Sequence, residues 1–208
     1  MARTRDSNNK RQRLIDATAK LVYEKTLHTT TLADIAQEAQ VPLGNVYYYF
    51  KTKQEIMEAV VARQTTLLQT LFSELGNLET PAARIIGFIE AFLAQQTEIA
   101  QFGCPLGSLA LELSKAGEPL AQHGKTLMLT VIHWLQKQFE QVSSSTADAE
   151  QKAYYCVSTL QGFGLLTLSL QDTTPMMHAG QSLITWVQNT CGKAATHTSA
   201  HARVLEPA

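Results

Sequence analysis

Apolar residues recur at three- and four-residue intervals along almost the whole of this 208-residue chain. This spacing places them on one face of an α-helix, and no run alternates apolar and polar residues over enough positions to indicate a β-strand. The sequence therefore predicts an all-α protein. The predicted helices occupy about residues 10–24, 32–39, 43–48, 53–76, 81–100, 106–115, 118–142, 149–171 and 176–191.

Charge is distributed unequally along the chain. Residues 1–53 contain nine Lys and Arg against five Asp and Glu, whereas the remainder contains eight against thirteen. An acidic partner such as nucleic acid would bind the basic part, although a solvated terminal segment has the same composition. Because two compact parts suit this length, we expect an N-terminal domain at 1–53, a larger helical domain at 54–193 and a disordered tail at 194–208.

The sequence gives no sign of a disulfide framework, a metal site, a secretion signal or a membrane helix. Cys104, Cys156 and Cys191 are far apart and match no metal-ligand spacing, so we expect no disulfide framework, metal site or cofactor. The first ten residues carry charges with no apolar segment behind them, and no stretch reaches the roughly 20 apolar residues of a membrane helix. These observations predict a cytoplasmic protein without a membrane segment.

The helices predicted at residues 32–39 and 43–48 are short and are separated by a three-residue turn. Such a pair fits a helix-turn-helix, whose second helix enters the DNA major groove, although a generic helical hairpin has the same pattern. Thr31 is suited to cap the first of the two helices. Asp34 stands three residues on, where it completes a short capping box.

The surface chemistry of the second short helix favours DNA binding over a plain hairpin. Residues 43–53 present small, amide and phenolic groups followed by two lysines. Gly44 would destabilise a helix interior by about 1 kcal/mol, which makes sense if its backbone approaches another surface closely. Tyrosine hydroxyls and lysines suit contacts with phosphates. A purely structural helical adaptor, the alternative without DNA, would have no use for this segment.

Residues 31–41 (TLADIAQEAQV) and 46–56 (VYYYFKTKQEI) resemble the N-terminal signature of the TetR family of transcriptional regulators. The resemblance implies that Thr31 contacts phosphate at the start of the helix predicted at residues 32–39. The residues it places toward the groove are Pro42, Leu43, Gly44, Asn45 and Tyr48. It implies that the residues holding the DNA backbone are Tyr47, Tyr49 and Lys53.

Two positions depart from the commonest family pattern. Gln40 stands where the turn usually has glycine, and Pro42 stands where a capping serine is frequent. We therefore expect Gln40 to carry any left-handed turn conformation at some energetic cost, and Pro42 to provide no side-chain cap.

The resemblance implies a ligand-responsive repressor, with a small-molecule effector bound among the helices of the larger domain. A short recognition helix reads few base pairs, so we expect a homodimer on a palindromic operator. The predicted dimer surface lies on the last two helices and comprises Ser158, Leu160, Gly162, Gly164, Leu165, Leu166, Leu168, Ile184 and Val187.

No nucleophile elbow, zinc-protease motif or dinucleotide fingerprint is present, and Gly124-Lys125-Thr126 lacks the earlier glycine of a phosphate loop. We therefore expect no enzyme. The alternative is chemistry housed among the apolar helices of the larger domain.

A second resemblance concerns residues 102–113 (FGCPLGSLALEL), which are similar to a segment of the NemR and AcuR-like subset of TetR regulators. It implies an effector that is a small reactive or organic compound and a sensing role for Cys104. A position just before a helix favours the reactive thiolate, whereas burial of Cys156 and Cys191 would raise their pKa values. The alternative is that Cys104 is a small apolar residue buried at a helix start.

Overall fold

The computed structural model describes the backbone of residues 2–192 and the side chains of residues 9–192. No residue in this range lies in a β-strand, which confirms the predicted all-α class. The predicted tail at 194–208 lies outside the described residues. The helices are α1 (Ala2–Glu24), α2 (Leu32–Glu38), α3 (Leu43–Tyr49), α4 (Lys53–Gly76), α5 (Pro81–Leu93), α6 (Gln96–Phe102), α7 (Pro105–Lys115), α8 (Leu120–Phe139), α9 (Thr146–Leu170) and α10 (Thr174–Thr190).

The single helix predicted at residues 81–100 is wrong, because this segment forms α5 and α6. At the break, the backbone N–H of Gln95 donates to the carbonyl oxygen of Phe92, three residues back, at 3.2 Å. Gln95 has φ −94° and ψ 13°, outside the α region. Phe92 and Ile99 on either side are both buried, so the apolar periodicity runs through the break and does not reveal it.

The first compact unit contains the residues up to Leu68 together with Pro105–Met128. In it α1 packs against α2 and α7, and α2 packs against α3. Its core includes side chains with no exposed surface from all four of the first helices, namely Leu14, Ile35, Val46, Ile56 and Met57. Burial of such side chains stabilises each by about 1.5–3 kcal/mol, so the short helices α2 and α3 are held by packing.

The second compact unit contains Gln69–Cys104 and the described residues from Leu129 onward. Here α9 packs against α6 and α10, and α10 packs against α5. The aromatic rings of Phe72 and Trp134 stack with centroids 4.6 Å apart. The apolar face of α5 packs into this unit, since Ile85, Phe88, Ile89 and Phe92 are all buried. These units describe packing, and the predicted domain boundary at residues 53 and 54 stays a prediction.

Two further observations concern the part of the chain that the structure describes. None of its helices combines the length and the apolar character that crossing a membrane requires. Among residues 9–192, no three His, Cys, Asp or Glu side chains are grouped so as to hold a metal ion.

Candidate nucleic-acid interface

The start of α2 is closed by the capping box that the sequence predicted. The backbone N–H of Asp34 donates to Thr31 Oγ1 at 3.1 Å, and the backbone N–H of Thr31 donates to Asp34 Oδ2 at 2.8 Å. The Thr31 hydroxyl also donates to Asp34 Oδ2 at 2.7 Å. These hydrogen bonds from Thr31 lower the pKa of Asp34. A phosphate contact by Thr31 stays a prediction, and it would require the hydroxyl proton to leave the Asp34 carboxylate.

The turn between α2 and α3 has the backbone conformation expected of it. Gln40 has φ 52°, in the left-handed region that favours glycine. Arg13 on α1 compensates, because its Nε donates to the carbonyl oxygen of Ala39 at 2.9 Å and its Nη2 to that of Gln40 at 2.6 Å. This role of Arg13 was not predicted, because in the sequence Arg13 is only one of several basic residues on the polar side of the first helix.

Helix α3 buries one side and exposes the other. Val46 has no exposed surface and Phe50, just beyond the helix, is 2% exposed, so both anchor α3 to the first unit. Pro42 precedes the helix and provides no side-chain hydrogen bond to it, as predicted. All five residues of the predicted groove-facing set are exposed, namely Pro42, Leu43, Gly44, Asn45 and Tyr48. Tyr48 is 73% exposed, compared with 43% for Leu43.

Gly44 has no internal packing role in the structure. A Cβ atom built at this position would meet no heavy atom within 4 Å. Glycine destabilises a helix relative to alanine, yet no contact within the described residues would prevent an alanine at this position. This observation supports an approach of the α3 backbone to another molecule.

The predicted backbone-contacting residues occupy three different environments. Tyr47 is 49% exposed, whereas Tyr49 is half-buried and packs edge-on against Tyr48 with ring centroids 5.0 Å apart. Lys53 is also half-buried, and its Nζ donates to the carbonyl oxygen of Leu27. Burial lowers the pKa of Lys53, against the opposing effect of the Asp34 and Glu112 carboxylates. Tyr47 and Tyr48 are thus open to a partner, and Lys53 is engaged inside the first unit.

Cys104 lies in the second unit, directly before α7 in the chain, and is 8% exposed. Its Sγ accepts a hydrogen bond from Gln161 Nε2 on α9 at 3.4 Å. A Cβ atom built at Gly164 would be 3.8 Å from the Cβ of Cys104 and 3.5 Å from the Phe92 ring. Cys104 is therefore buried close to Gly164, and the side-chain amide of Gln161 donates to its sulfur.

The other two cysteines have the raised pKa values that the sequence analysis expected. Burial raises the pKa of Cys156, which has no exposed surface, to about 12. Burial also raises the pKa of the half-buried Cys191. Both thiols are therefore shifted away from the reactive thiolate form.

The structure revises the membership of the predicted dimer surface. Gly164, Leu160 and Val187 face the core of the second unit and are buried. The outer face of α9 and α10 instead carries large exposed apolar side chains, namely Tyr154, Tyr155, Leu165, Leu166, Leu170 and Met177. Ser158 and Gly162 are exposed among them, whereas Leu168 and Ile184 are half-buried.

Family models match both parts of the chain. Residues 14–60 match the model described as bacterial regulatory proteins of the tetR family. Residues 81–182 match the C-terminal domain model of LmrA/YxaF-like transcriptional regulators. The first match contains the capping box, the Gln40 turn and α3, and the second extends from the start of α5 into α10.

Relatives identified by sequence agree with these matches. The chain is 26% identical over 172 residues to the HTH-type transcriptional regulator LmrA of Bacillus subtilis, covering 81% of this chain and 91% of that protein. It is 30% identical over 113 residues to an uncharacterized HTH-type transcriptional regulator in the lacX 3' region of Lactococcus lactis, covering 53% of this chain and 58% of that protein.

Solved structures share the fold at low sequence identity. A TetR transcriptional regulator from Legionella pneumophila is similar with a TM-score of 0.77 and 18% identity, covering 85% of this chain and 96% of that one. Reduced NemR of Escherichia coli is similar with a TM-score of 0.71 and 21% identity, covering 87% and 96%. NemR is one of several such structures, so the narrower NemR and AcuR-like placement is not confirmed. The helix-turn-helix geometry and the two family matches together establish that the chain belongs to the TetR family of helix-turn-helix transcriptional regulators.

Proposed function

We propose that this protein is a ligand-responsive repressor that binds a palindromic operator as a homodimer and releases it when an effector binds. The observation that carries the proposal is the exposed ridge of α3. A capped α2, the turn braced by Arg13 and the buried Val46 hold this ridge rigidly, while Leu43, Tyr47 and Tyr48 project outward. A rigid scaffold with an exposed second helix is what major-groove reading requires.

The proposed contacts divide into two kinds. Asn45 carries an amide, which pairs well with an adenine edge, so it reads sequence. Thr31, Tyr47, Tyr49 and Lys53 hold phosphates and fix the register of the helix without reading bases. Lys53 would have to exchange its bond to the Leu27 carbonyl oxygen for a phosphate, whereas the 49% exposed Tyr47 can reach a phosphate without such an exchange.

The homodimer is supported by the apolar outer face of α9 and α10. Leu165 and Leu170, both on α9, are each 63% exposed, and a contiguous patch of exposed apolar side chains marks a surface that binds another molecule. Gly162 lies on the same face with no heavy atom within 4 Å of its Cβ position, so a partner backbone has room to approach. A two-fold dimer formed through this face would carry two copies of α3, one for each half of an inverted repeat.

Effector release requires a ligand that binds the two conformations of the dimer unequally. The second unit is the proposed site, and its core among the described residues is mainly apolar, with Thr167 and Gln138 as buried polar side chains. Cys104 is the proposed sensing residue if the effector is an electrophile. Its hydrogen bond from Gln161 supports this role, because an amide donor stabilises negative charge on sulfur.

Selection of binding sequences from random duplex DNA, followed by gel retardation, tests the proposal. We expect an inverted repeat whose binding weakens steeply with salt, because phosphate contacts release counterions. Repeating the measurement with candidate compounds identifies the effector, and a compound that binds yet leaves operator affinity unchanged is not one.

The dimer is tested separately by sedimentation of Leu165→Arg. We expect this variant to be monomeric and to bind the operator weakly. Leu111→Arg is the matched control, because Leu111 is also a half-exposed leucine on a helix but lies outside the α9 and α10 face. A wild-type protein that sediments as a monomer and enriches no DNA sequence would refute the proposed function.

A further inference from the structure

The loop between α1 and α2 is held from both sides by residues distant in the chain. The backbone N–H of Leu27 donates to Glu112 Oε2 on α7 at 2.8 Å. The carbonyl oxygen of the same residue accepts a hydrogen bond from Lys53 Nζ at the start of α4. Leu27 itself is buried. The backbone N–H and the carbonyl oxygen of Leu27 are therefore both hydrogen-bonded to charged side chains, one from α7 and one from α4.

The two charged groups also support each other. The Glu112 carboxylate acts to raise the pKa of Lys53, against the effect of burial. A hydrogen bond from a peptide N–H to an ionised carboxylate is stronger than one between neutral groups. The Glu112 carboxylate, the Leu27 peptide groups and the Lys53 ammonium group therefore depend on one another. Removing either charged side chain leaves a partly buried polar group of Leu27 without this partner.

Helix α7 is itself held firmly on its other side by α8. A Cβ atom built at Gly124 would lie 2.7 Å from the carbonyl oxygen of Ala110, so the two backbones are in close contact. Residues 110 and 112 point to nearly opposite sides of a helix, because each residue turns the chain by about 100°. Helix α7 thus connects α8 to the α1–α2 loop within the unit that contains the helix-turn-helix.

The held loop leads directly into the DNA-binding elements. Thr31, which caps α2, follows Leu27 by four residues, and the backbone N–H of Thr30 between them donates to the carbonyl oxygen of Thr26. Lys53 begins α4, which follows α3 after three residues. The loop therefore connects to both elements that flank the recognition helix.

We propose that Glu112 is a positioning residue for operator binding, acting through the Leu27 peptide without touching DNA. The inference rests on the proposed function and deepens it, because it places part of the operator-binding apparatus on α7, outside residues 1–53. Without the Glu112 acceptor, the Leu27 N–H must reach water by a shift of the loop, and operator binding then has to reverse that shift.

Three variants of the full chain test this inference on the sequence enriched by the wild type. Glu112→Ala and Glu112→Gln lose the same charge, but only the glutamine keeps an oxygen that accepts the Leu27 N–H. We expect Glu112→Ala to bind the operator about tenfold more weakly than Glu112→Gln. Glu79→Ala, which removes an exposed loop carboxylate, controls for the general effect of net charge on DNA affinity.

Amide hydrogen exchange supplies a second measurement that overall destabilisation would not reproduce. In Glu112→Ala the Leu27 amide should exchange faster, while amides in the α9 core such as Leu160 keep their wild-type rates. If Glu112→Ala does not fold, Glu112→Asp takes its place, since its carboxylate is one methylene shorter and should give the same changes.

Equal operator affinity of the alanine and glutamine variants, or an unchanged Leu27 amide in a variant that binds weakly, would overturn the inference. In that case the wild type still binds its operator and the proposed function stands. A wild type that enriches no sequence contradicts the proposed function, and the inference fails with it.

Discussion

The guanidinium of Arg13 donates from Nη2 to the carbonyl oxygen of Gln40 at 2.6 Å, across 27 residues of sequence. Gln40 is left-handed at φ 52°, a conformation that costs a residue with a Cβ about 1–2 kcal/mol. Arg13 therefore stabilises a turn that a glycine would form without help.

This relationship predicts opposite effects of two substitutions. Arg13→Ala should lower the free energy of unfolding by about 1.5–3 kcal/mol, because hydrogen bonds from a charged group to two carbonyl oxygens are lost. Gln40→Gly should raise it by about 1 kcal/mol and should restore part of the loss in the double variant. Urea unfolding of the four proteins measures this, and a Gln40→Gly protein less stable than wild type would contradict the account.

Gly44→Ala should separate folding from DNA binding. Because a Cβ at this position meets nothing within 4 Å, the alanine should stabilise the free protein by about 1 kcal/mol through helix propensity. The same methyl group should weaken operator binding if the α3 backbone approaches DNA. Thermal unfolding and gel retardation of one preparation give both values, and unchanged operator affinity would remove Gly44 from the interface.

Asn45 and Tyr47 should differ in what their loss does to recognition. Asn45→Ala should relax the preference for the enriched sequence over single-base variants by about 1–3 kcal/mol at one position. Tyr47→Phe, which removes only a hydroxyl group, should weaken all sequences alike. Competition binding on a set of single-base operator variants distinguishes the two patterns, and the same pattern for both variants would refute this division of roles.

The Thr31–Asp34 capping box predicts a dependence of stability on pH. Hydrogen bonds from Thr31 lower the pKa of Asp34 in the folded protein, so the unfolded chain binds a proton first as pH falls. The contribution of Asp34 is therefore present above its ordinary pKa of about 4 and is lost as pH falls through its lower folded pKa. Asp34→Asn should flatten this part of the curve of unfolding temperature against pH, and an unchanged curve would contradict the prediction.

Cys104 and Cys156 should respond differently to a mild electrophile or hypochlorite. Burial raises the pKa of Cys156 to about 12, so mass spectrometry should find it unmodified in the folded protein. If Cys104 is the sensing residue, the wild type should release its operator on treatment and Cys104→Ser should retain it. Equal release by both proteins would show that Cys104 is a bystander at a helix start and that the effector acts without covalent bonding.

Local patterns in the sequence determined most of the helices, the capping box and the helix-turn-helix. Thr31 and Asp34 are three residues apart, and a helical face repeats within four, so neighbouring residues suffice to predict these features. The left-handed Gln40 was also predictable, because the family turn places glycine there and its conformation depends on φ and ψ at one residue.

Only the tertiary structure decided which side chains meet across the chain. Leu27 and Glu112 are 85 residues apart, and no periodicity links a loop amide to a glutamate on a distant helix. The outward face of α9 was likewise misjudged, since this helix carries apolar residues on both sides and Gly164 turned out to face Phe92 and Ile99. Helical periodicity predicts that a residue is buried. It does not predict which residue it packs against, because that depends on how the helices fold together.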